Sequence, residues 1–255
     1  MASKTLVLIT GANQGLGYYA AQQMAATGKY HVLVGSRDIT KAETAIKALG
    51  EETSPKVDVN DLEPLLIDVN SDESIKKAVQ TVQEKHGKLD VLMNNAGIAI
   101  AQEPAADGSG PSRRELWHQH FDTNLFGAAE VTEQFIPLLR ESTAPDGKRI
   151  AFTSSGLSSL EWALENEGNY SGEFYPLYRS TKTALNMLMV HYARKLERDG
   201  FVVTGSDPGY CGTNLNGYHG MKDPRDGAKV LVRAAVDEKT KVHGRVIDEK
   251  GPEPW

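Results

Sequence analysis

The sequence predicts an α/β fold, a doubly wound parallel sheet with helices on both faces. Three observations predict it. Short β-rich apolar runs alternate with helical patterns over the whole length, the arrangement expected of a parallel sheet joined by helical crossovers. The first apolar run breaks into a glycine cluster immediately before a helix, a junction that suits phosphate binding. The turns at Gly11, Ser36, Asp68, Asn94, Ser155 and Pro208 follow strand-like runs and so fall on one sheet edge, where ligands of such sheets lie.

The totals bound the answer. A chain of 255 residues, 40% hydrophobic, can bury a substantial core, and with no linker to divide it, residues 1–255 are expected to form a single domain. The net charge of −6 is spread along the chain with no basic run, so no nucleic-acid partner is expected. Cys211 is the single cysteine and cannot form an intrachain disulfide. The start, Met1 to Lys4, runs into a strand-like segment without a secretory apolar stretch, and no apolar run reaches the ~18 residues of a membrane span. A cytoplasmic protein without membrane association is the expectation, with no metal site.

Thr5 to Thr10 (TLVLIT) reads as the first strand, and Gly11-Ala12-Asn13-Gln14-Gly15-Leu16-Gly17 as a turn whose amides and helix dipole meet a phosphate. Its G-x-x-x-G-x-G spacing differs from the commoner dinucleotide fingerprint. A helix follows from Leu16 to about Thr27. The second strand, His31 to Ser36, ends in Ser36-Arg37-Asp38. Ser36 brings no carboxylate to repel a 2′-phosphate and Arg37 offers a planar cation, which favours NADP over NAD. Asp38 is an alternative ribose ligand or the N-cap of the helix from about Thr40 to Leu49.

A third strand, Pro64 to Val69, places Asp68-Val69 beside an adenine edge, although Asp68 would equally cap the next loop; a helix runs from Ser71 to about His86. The fourth strand, Leu89 to Met93, is followed by Asn94-Asn95-Ala96-Gly97, small enough to let a cofactor approach the backbone, as a plain turn would also be. Beyond the loop 98–111 a long helical pattern spans about Ser112 to Ser142, with Pro137 allowing a bend. Asn124 lies inside it, where an asparagine is unfavourable unless it serves something.

Arg149 to Ser154, the fifth strand, leads into Ser154-Ser155-Gly156, and residues 157–175 read as irregular. Pro176 opens a helix to about Asp199, apolar on one face. Tyr178 and Lys182 stand one turn apart on it. A cation held there favours the phenolate, so Lys182 is expected to bring Tyr178 towards the range where it exchanges a proton. Phe201 to Ser206 is the sixth strand, leaving through Asp207-Pro208-Gly209-Tyr210-Cys211-Gly212-Thr213. Asn214 to Met221 reads as an irregular, lid-like stretch, and a helix (Pro224 to Val236), a last strand near Gly244 to Ile247 and a short tail finish the chain.

Together these residues resemble the short-chain dehydrogenase/reductase family. The resemblance rests on T-G-x-x-x-G-x-G at Thr10 to Gly17, N-N-A-G at Asn94 to Gly97, N-L-F-G at Asn124 to Gly127, the serine pair, Y-x-x-x-K, and P-G-x-x-x-T at Pro208 to Thr213. It implies a Rossmann-type sheet of about seven strands in the order 3-2-1-4-5-6-7. It further implies a catalytic set of Asn124, Ser155, Tyr178 and Lys182, with Ser154 the alternative serine. Tyr178 would be the proton donor, Lys182 would lower its pKa and bind the nicotinamide ribose, and Asn124 would anchor a proton-supplying water chain. Pro208, Gly209 and Thr213 resemble nicotinamide contacts. The implied activity is NADP(H)-dependent reduction of a small-molecule ketone or aldehyde. The competing readings are alcohol oxidation, a cofactor-binding regulator without turnover, and a sugar-nucleotide epimerase or dehydratase. The last would need a larger C-terminal domain than the about 40 residues after Thr213 provide.

One departure is the separation of Ser155 and Tyr178, 23 positions where most of the family has about a dozen. The extra residues resemble the monomeric carbonyl reductases, which favours a monomer over a homo-oligomer. They also make Trp162, Tyr170 and Phe174 candidate pocket walls, although an aromatic there more often packs the loop itself than touches substrate; the substrate loops are placed at 98–111, 157–175 and 210–223.

Overall fold

The computed structural model describes residues 4–145, 147–166 and 171–255. Seven parallel strands form one sheet: β1 (Thr5–Ile9), β2 (Tyr30–Ser36), β3 (Leu62–Leu66), β4 (Val91–Asn94), β5 (Arg149–Thr153), β6 (Val202–Ser206) and β7 (Val246–Ile247). Their order is β3-β2-β1-β4-β5-β6-β7, as the resemblance implied. The chain winds outward from β1 to β3, then returns to pair β4 against the other side of β1. That reversal opens a crevice at the carboxyl ends of β1 and β4.

The helices α1 (Gly15–Ala25), α2 (Ile39–Glu51) and α8 (Pro224–Val236) and the helices α3 (Asp72–His86), α5 (Gly127–Arg140) and α7 (Pro176–Lys195) contribute to two separate core clusters. The strands explain the division. Val7, Ile9, Val32 and Val34 pack with Ala20, Met24 and Leu231, whereas Leu8 and Leu33 pack with Ile75, Phe135 and Met189. Successive side chains of a strand point to opposite faces, and here both faces are buried. Truncating the fully buried Phe135 to alanine would cost about 3–5 kcal/mol.

Caps set several boundaries. Asp38 accepts from the amides of Thr40 (3.0 Å) and Lys41 (3.3 Å) at the start of α2. Ser71 caps α3, whose acidic first turn and Lys85-His86 last turn complement the helix dipole. Gly87 ends that helix in the left-handed region at φ 69°, as glycine permits.

Several expected elements differ. β3 is displaced towards the N-terminus of the expected segment, so Asp68 and Val69 lie beyond its end. The long helical pattern is interrupted: α4 (Arg113–Phe121) passes into a π-helical turn, Asp122–Phe126, before α5. The helix bearing Tyr178 stops at Lys195 and a 3₁₀ turn, Glu197–Asp199, follows. The stretch expected to be irregular contains α6 (Leu160–Glu165), capped by Ser159. Its Tyr170 lies outside the described residues. The lid-like stretch holds a 3₁₀ turn, Asn214–Asn216, with reciprocal Thr213–Asn216 capping bonds. A short helix α9 (Lys239–Val242) precedes β7. The tail folds back: Glu253 N–H donates to Val246 (2.9 Å) and Glu161 N–H to the Trp255 carbonyl (2.9 Å). Among the described residues no helix is long and apolar enough to cross a membrane.

Candidate active site

The carboxyl ends of β1, β2, β4, β5 and β6 surround a cavity of about 910 Å³, towards the upper end of the ~300–1,000 Å³ usual for small-molecule sites. Its floor begins with the glycine turn. Gly11 has φ +64°, and a Cβ there would lie 3.0 Å from Ala96 Cα, so only glycine lets the two turns meet. Gly11, Asn13, Gln14, Gly15 and Leu16 face the cavity. Gly17 is buried behind them, packed against Asn95 and the Gly11 carbonyl. No side chain caps the start of α1 at Gln14. Its first-turn amides have no partner within the helix, which is what a phosphate group needs.

Thr10, buried under this turn, holds it to the next. Its Oγ1 accepts from the amides of Asn95 and Ala96 (both 3.0 Å), and Asn95 Nδ2 donates to the Thr10 carbonyl (2.8 Å). Asn95, Ala96 and Gly97 thereby line the cavity beside the glycine turn.

At the end formed by β2, Ser36, Arg37 and Lys41 line the wall. Asp38 does not: its carboxylate is the α2 N-cap, which decides between the two roles the sequence left open. Lys41, one turn into α2, is a second cation that the sequence reading missed. Asp68 and Val69 also line the cavity, and Asp68 caps its own loop by accepting from Asn70 N–H at 3.0 Å. The capping role of Asp68 is thus present, and its place on the wall leaves it beside the cavity.

At the other end Ser155, Tyr178, Lys182, Pro208, Gly209 and Thr213 share the wall. Ser154 is fully engaged elsewhere, its hydroxyl donating to Asn186 Oδ1 at 2.6 Å, whereas Ser155 hydrogen-bonds the Tyr178 phenol. Lys182 is buried, its ammonium donating to the Thr153 carbonyl at 2.7 Å and standing 5.6 Å from the Tyr178 ring centre. Burial brings Lys182 down to about 8, because an apolar surrounding disfavours its charge. Burial pushes Tyr178 above its ordinary value, the Asp207 carboxylate pushes it further, and the Ser155 hydrogen bond opposes both. This corrects the expectation that Lys182 brings the phenol down: the amine donates to Thr153, and desolvation outweighs the remaining influences.

Asn124 is not on the wall. It is buried in the π-helical turn, accepting from Ile98 N–H (2.8 Å) and donating to the Ile98 carbonyl (2.9 Å) and Thr181 Oγ1 (3.1 Å). The π turn re-aims this side chain, and the asparagine serves to clamp the loop after β4 against α7. Gln102, from that loop, accepts from the amides of Leu177 (3.1 Å) and Tyr178 (3.3 Å). It satisfies the α7 amino end in place of a conventional cap, a role with no sequence signal.

The remaining walls differ from expectation. Trp162 and Phe174 do not line the cavity; Leu157, Tyr175 and Tyr210 do. Trp162 instead packs against Gly156, and Phe174 is 47% exposed. Only Ile98 to Gln102 of the first loop reach the wall. Behind Pro208, Asp207 is buried and accepts from Gly209 N–H (2.9 Å), and Glu253 of the tail is hydrogen-bonded to it. Burial and then Asp207 push Glu253 up to about 9, so the Glu253 carboxyl keeps its proton near neutrality.

Comparison with known proteins decides the family. The short chain dehydrogenase family model matches residues 5–223. The chain belongs to the short-chain dehydrogenase/reductase family. The short-chain dehydrogenase anuI of Penicillium roqueforti is 42% identical over 251 residues, covering 97% of this chain and 95% of that one. Mouse carbonyl reductase [NADPH] 1 is 26% identical, with 100% and 99% covered. Among solved structures, NADPH-bound carbonyl reductase from chicken fatty liver superposes with a TM-score of 0.80 at 21% identity, covering all of both chains. The protein is thus an oxidoreductase of this family, which uses a nicotinamide cofactor and acts on small molecules.

Proposed function

We propose that this short-chain dehydrogenase/reductase is an NADPH-dependent reductase of a ketone or aldehyde, with Tyr178 as the proton donor. The observation that carries the proposal is the meeting of Ser155, Tyr178 and Lys182 on one cavity wall whose far end holds Arg37 and Lys41. The chain's geometry suits the dinucleotide: uncapped α1 amides and a glycine cradle suit the pyrophosphate, and two cations beside Ser36 suit a 2′-phosphate. When bound, NADPH would supply the hydride.

The residues then divide the rest of the work. Ser155 and Tyr178 hold the substrate oxygen where negative charge develops. A phenol raised by burial remains protonated at neutral pH and gives its proton to an alkoxide, a stronger base than itself. Reduction rather than oxidation fits the NADP reading, since cells usually keep NADP reduced. Protonated Lys182 returns a proton to the phenolate left behind. Asn124 acts at one remove, fixing Ile98 and the helix turn under Lys182.

The substrate enters between Ile98–Gln102, Leu157, Tyr175 and the 210–221 segment. The insertion before α7 is tied to that helix by Arg179, which donates to the carbonyls of Leu157 (3.1 Å), Ser171 (2.9 Å) and Phe174 (2.8 Å). That attachment fits a monomer made of one domain. An NADPH-oxidation screen over quinones, aryl ketones, aldehydes and diketones tests the proposal; tight NADPH binding with no turnover of any carbonyl would overturn it.

A further inference from the structure

On the face of the molecule away from the cavity, two imidazoles converge on one carboxylate. His31 and Leu33 lie two apart on β2 and so share a sheet face. Leu33 is in register with Glu63 of β3, which brings Glu63 onto that face beside His31. The last turn of α3, stopped by Gly87, adds His86. His31 Nε2 lies 3.4 Å and His86 Nε2 3.2 Å from the same oxygen, Glu63 Oε2. All three ligand atoms fall within 4.8 Å of one another. Lys85 takes the other carboxylate oxygen, Oε1, at 2.8 Å and so leaves Oε2 to the imidazoles.

These separations have a chemical meaning. Zinc bonds to imidazole nitrogen and carboxylate oxygen are ~2.0–2.2 Å long, and at tetrahedral angles they set neighbouring ligand atoms about 3.3–3.5 Å apart. Both nitrogen–oxygen separations are close to that edge length, and small ring rotations would close the third. The three side chains are 25%, 21% and 23% exposed, shielded on most sides yet open enough to admit an ion and a water as fourth ligand.

We propose that His31, Glu63 and His86 form a binding site for a divalent transition-metal ion of the zinc class, separate from the hydride-transfer site. Two imidazoles and one carboxylate suit zinc and its neighbours better than magnesium or calcium. The ligands come from positions 31, 63 and 86, a spacing no short motif displays, which is why the sequence led to the expectation of no metal site. The site begins where β2 and β3 begin, at the opposite edge of the sheet from the cavity, so the ion takes no part in the reaction. It ties the edge strand β3 to β2 and to the end of α3, and it stabilises the fold by an amount that rises with the logarithm of the metal concentration above its Kd.

The test is Zn²⁺ titration of the tag-free, chelator-stripped full chain, by competition with a chromophoric chelator, alongside thermal unfolding with and without Zn²⁺. The expected result is one saturable equivalent per chain and a Zn²⁺-dependent rise in melting temperature. In His86→Ala and His31→Ala binding should weaken by well over tenfold, since disturbing even the outer support of metal ligands costs about 10–100-fold, and the Zn²⁺-dependent rise should disappear. NADPH turnover should be unchanged. His86→Gln keeps a polar contact to Glu63 and gives the same reading should the alanine variant fold poorly. Absence of stoichiometric binding, or binding as tight in the variants as in the parent, would overturn the proposal.

Discussion

Gly17→Ala tests the glycine turn where its geometry is least forgiving. A Cβ at this position would lie 2.5 Å from Asn95 Nδ2, 2.8 Å from the Gly11 carbonyl oxygen and 2.9 Å from Ala12 Cα. The amide of Asn95 can rotate away, but only by giving up its bonds to the carbonyls of Thr10 (2.8 Å) and Gly11 (3.3 Å). The other two atoms are backbone and move only with the whole turn. Overpacking of this kind costs about 1–3 kcal/mol and the lost bond about 0.5–1.5 kcal/mol. Alanine's better helix propensity returns up to about 1 kcal/mol. The net cost is about 0.5–3.5 kcal/mol, a fall in melting temperature of about 1–14 °C for a chain of this size. Because the displaced backbone is the cavity floor, NADPH affinity should fall as well. Thermal unfolding and NADPH fluorescence titration measure the two effects. An unchanged or higher melting temperature with undiminished NADPH binding would refute the claim that Gly17 is required by close backbone contact.

Three further outcomes follow from the same coordinates. Arg37→Ala should weaken NADPH about tenfold or more, a charge-assisted bond being worth about 1.5–3 kcal/mol, while leaving NADH nearly untouched; equal losses for both nucleotides in binding titrations would place the 2′-phosphate elsewhere. Carbonyl reduction requires Lys182 protonated, so kcat/KM should be level below about pH 8 and fall about tenfold per unit above it, and a profile rising through that range would contradict the assigned roles. Glu253→Gln should stabilise the fold. The carboxyl titrates at about 9 in the folded chain against an ordinary value of 4.5, so the unfolded chain ionises first and stability is lost as pH rises between those values. An amide removes that loss, and thermal unfolding should show a larger gain near neutrality than in mild acid.

The architecture was legible because both faces of the sheet are buried. Strands such as TLVLI and YHVLVGS read as short apolar runs, and glycine, serine or asparagine turns mark their carboxyl ends. Of the wall residues, Tyr178 and Lys182 were legible from their one-turn spacing, and Ser155 from the family resemblance. What escaped depends on contacts between distant segments. Gln102 satisfies α7 across 75 positions of sequence, and Glu253 meets Asp207 only because the tail turns back on the sheet. The π turn around Asn124 was hidden because its residues fit a continuous helical pattern, and the Asn124 bonds to Ile98 and Thr181 join segments distant in sequence. Trp162 could not be assigned to wall or loop packing because aromatic character does not tell which way a loop faces: it packs on Gly156, and the wall falls to Tyr175 and Tyr210. The direction of the Tyr178 shift was also out of reach, since one-turn spacing reveals the amine but not the burial or the Asp207 charge.

The central claim is that the Tyr178 hydroxyl delivers the proton. Single-turnover and steady-state rates of Tyr178→Phe, measured beside its NADPH affinity on any carbonyl the parent reduces, test it most directly. The account predicts a fall in kcat of at least about a hundredfold with NADPH binding retained, because the ring stays and only the acid is removed. Turnover close to that of the parent would contradict it.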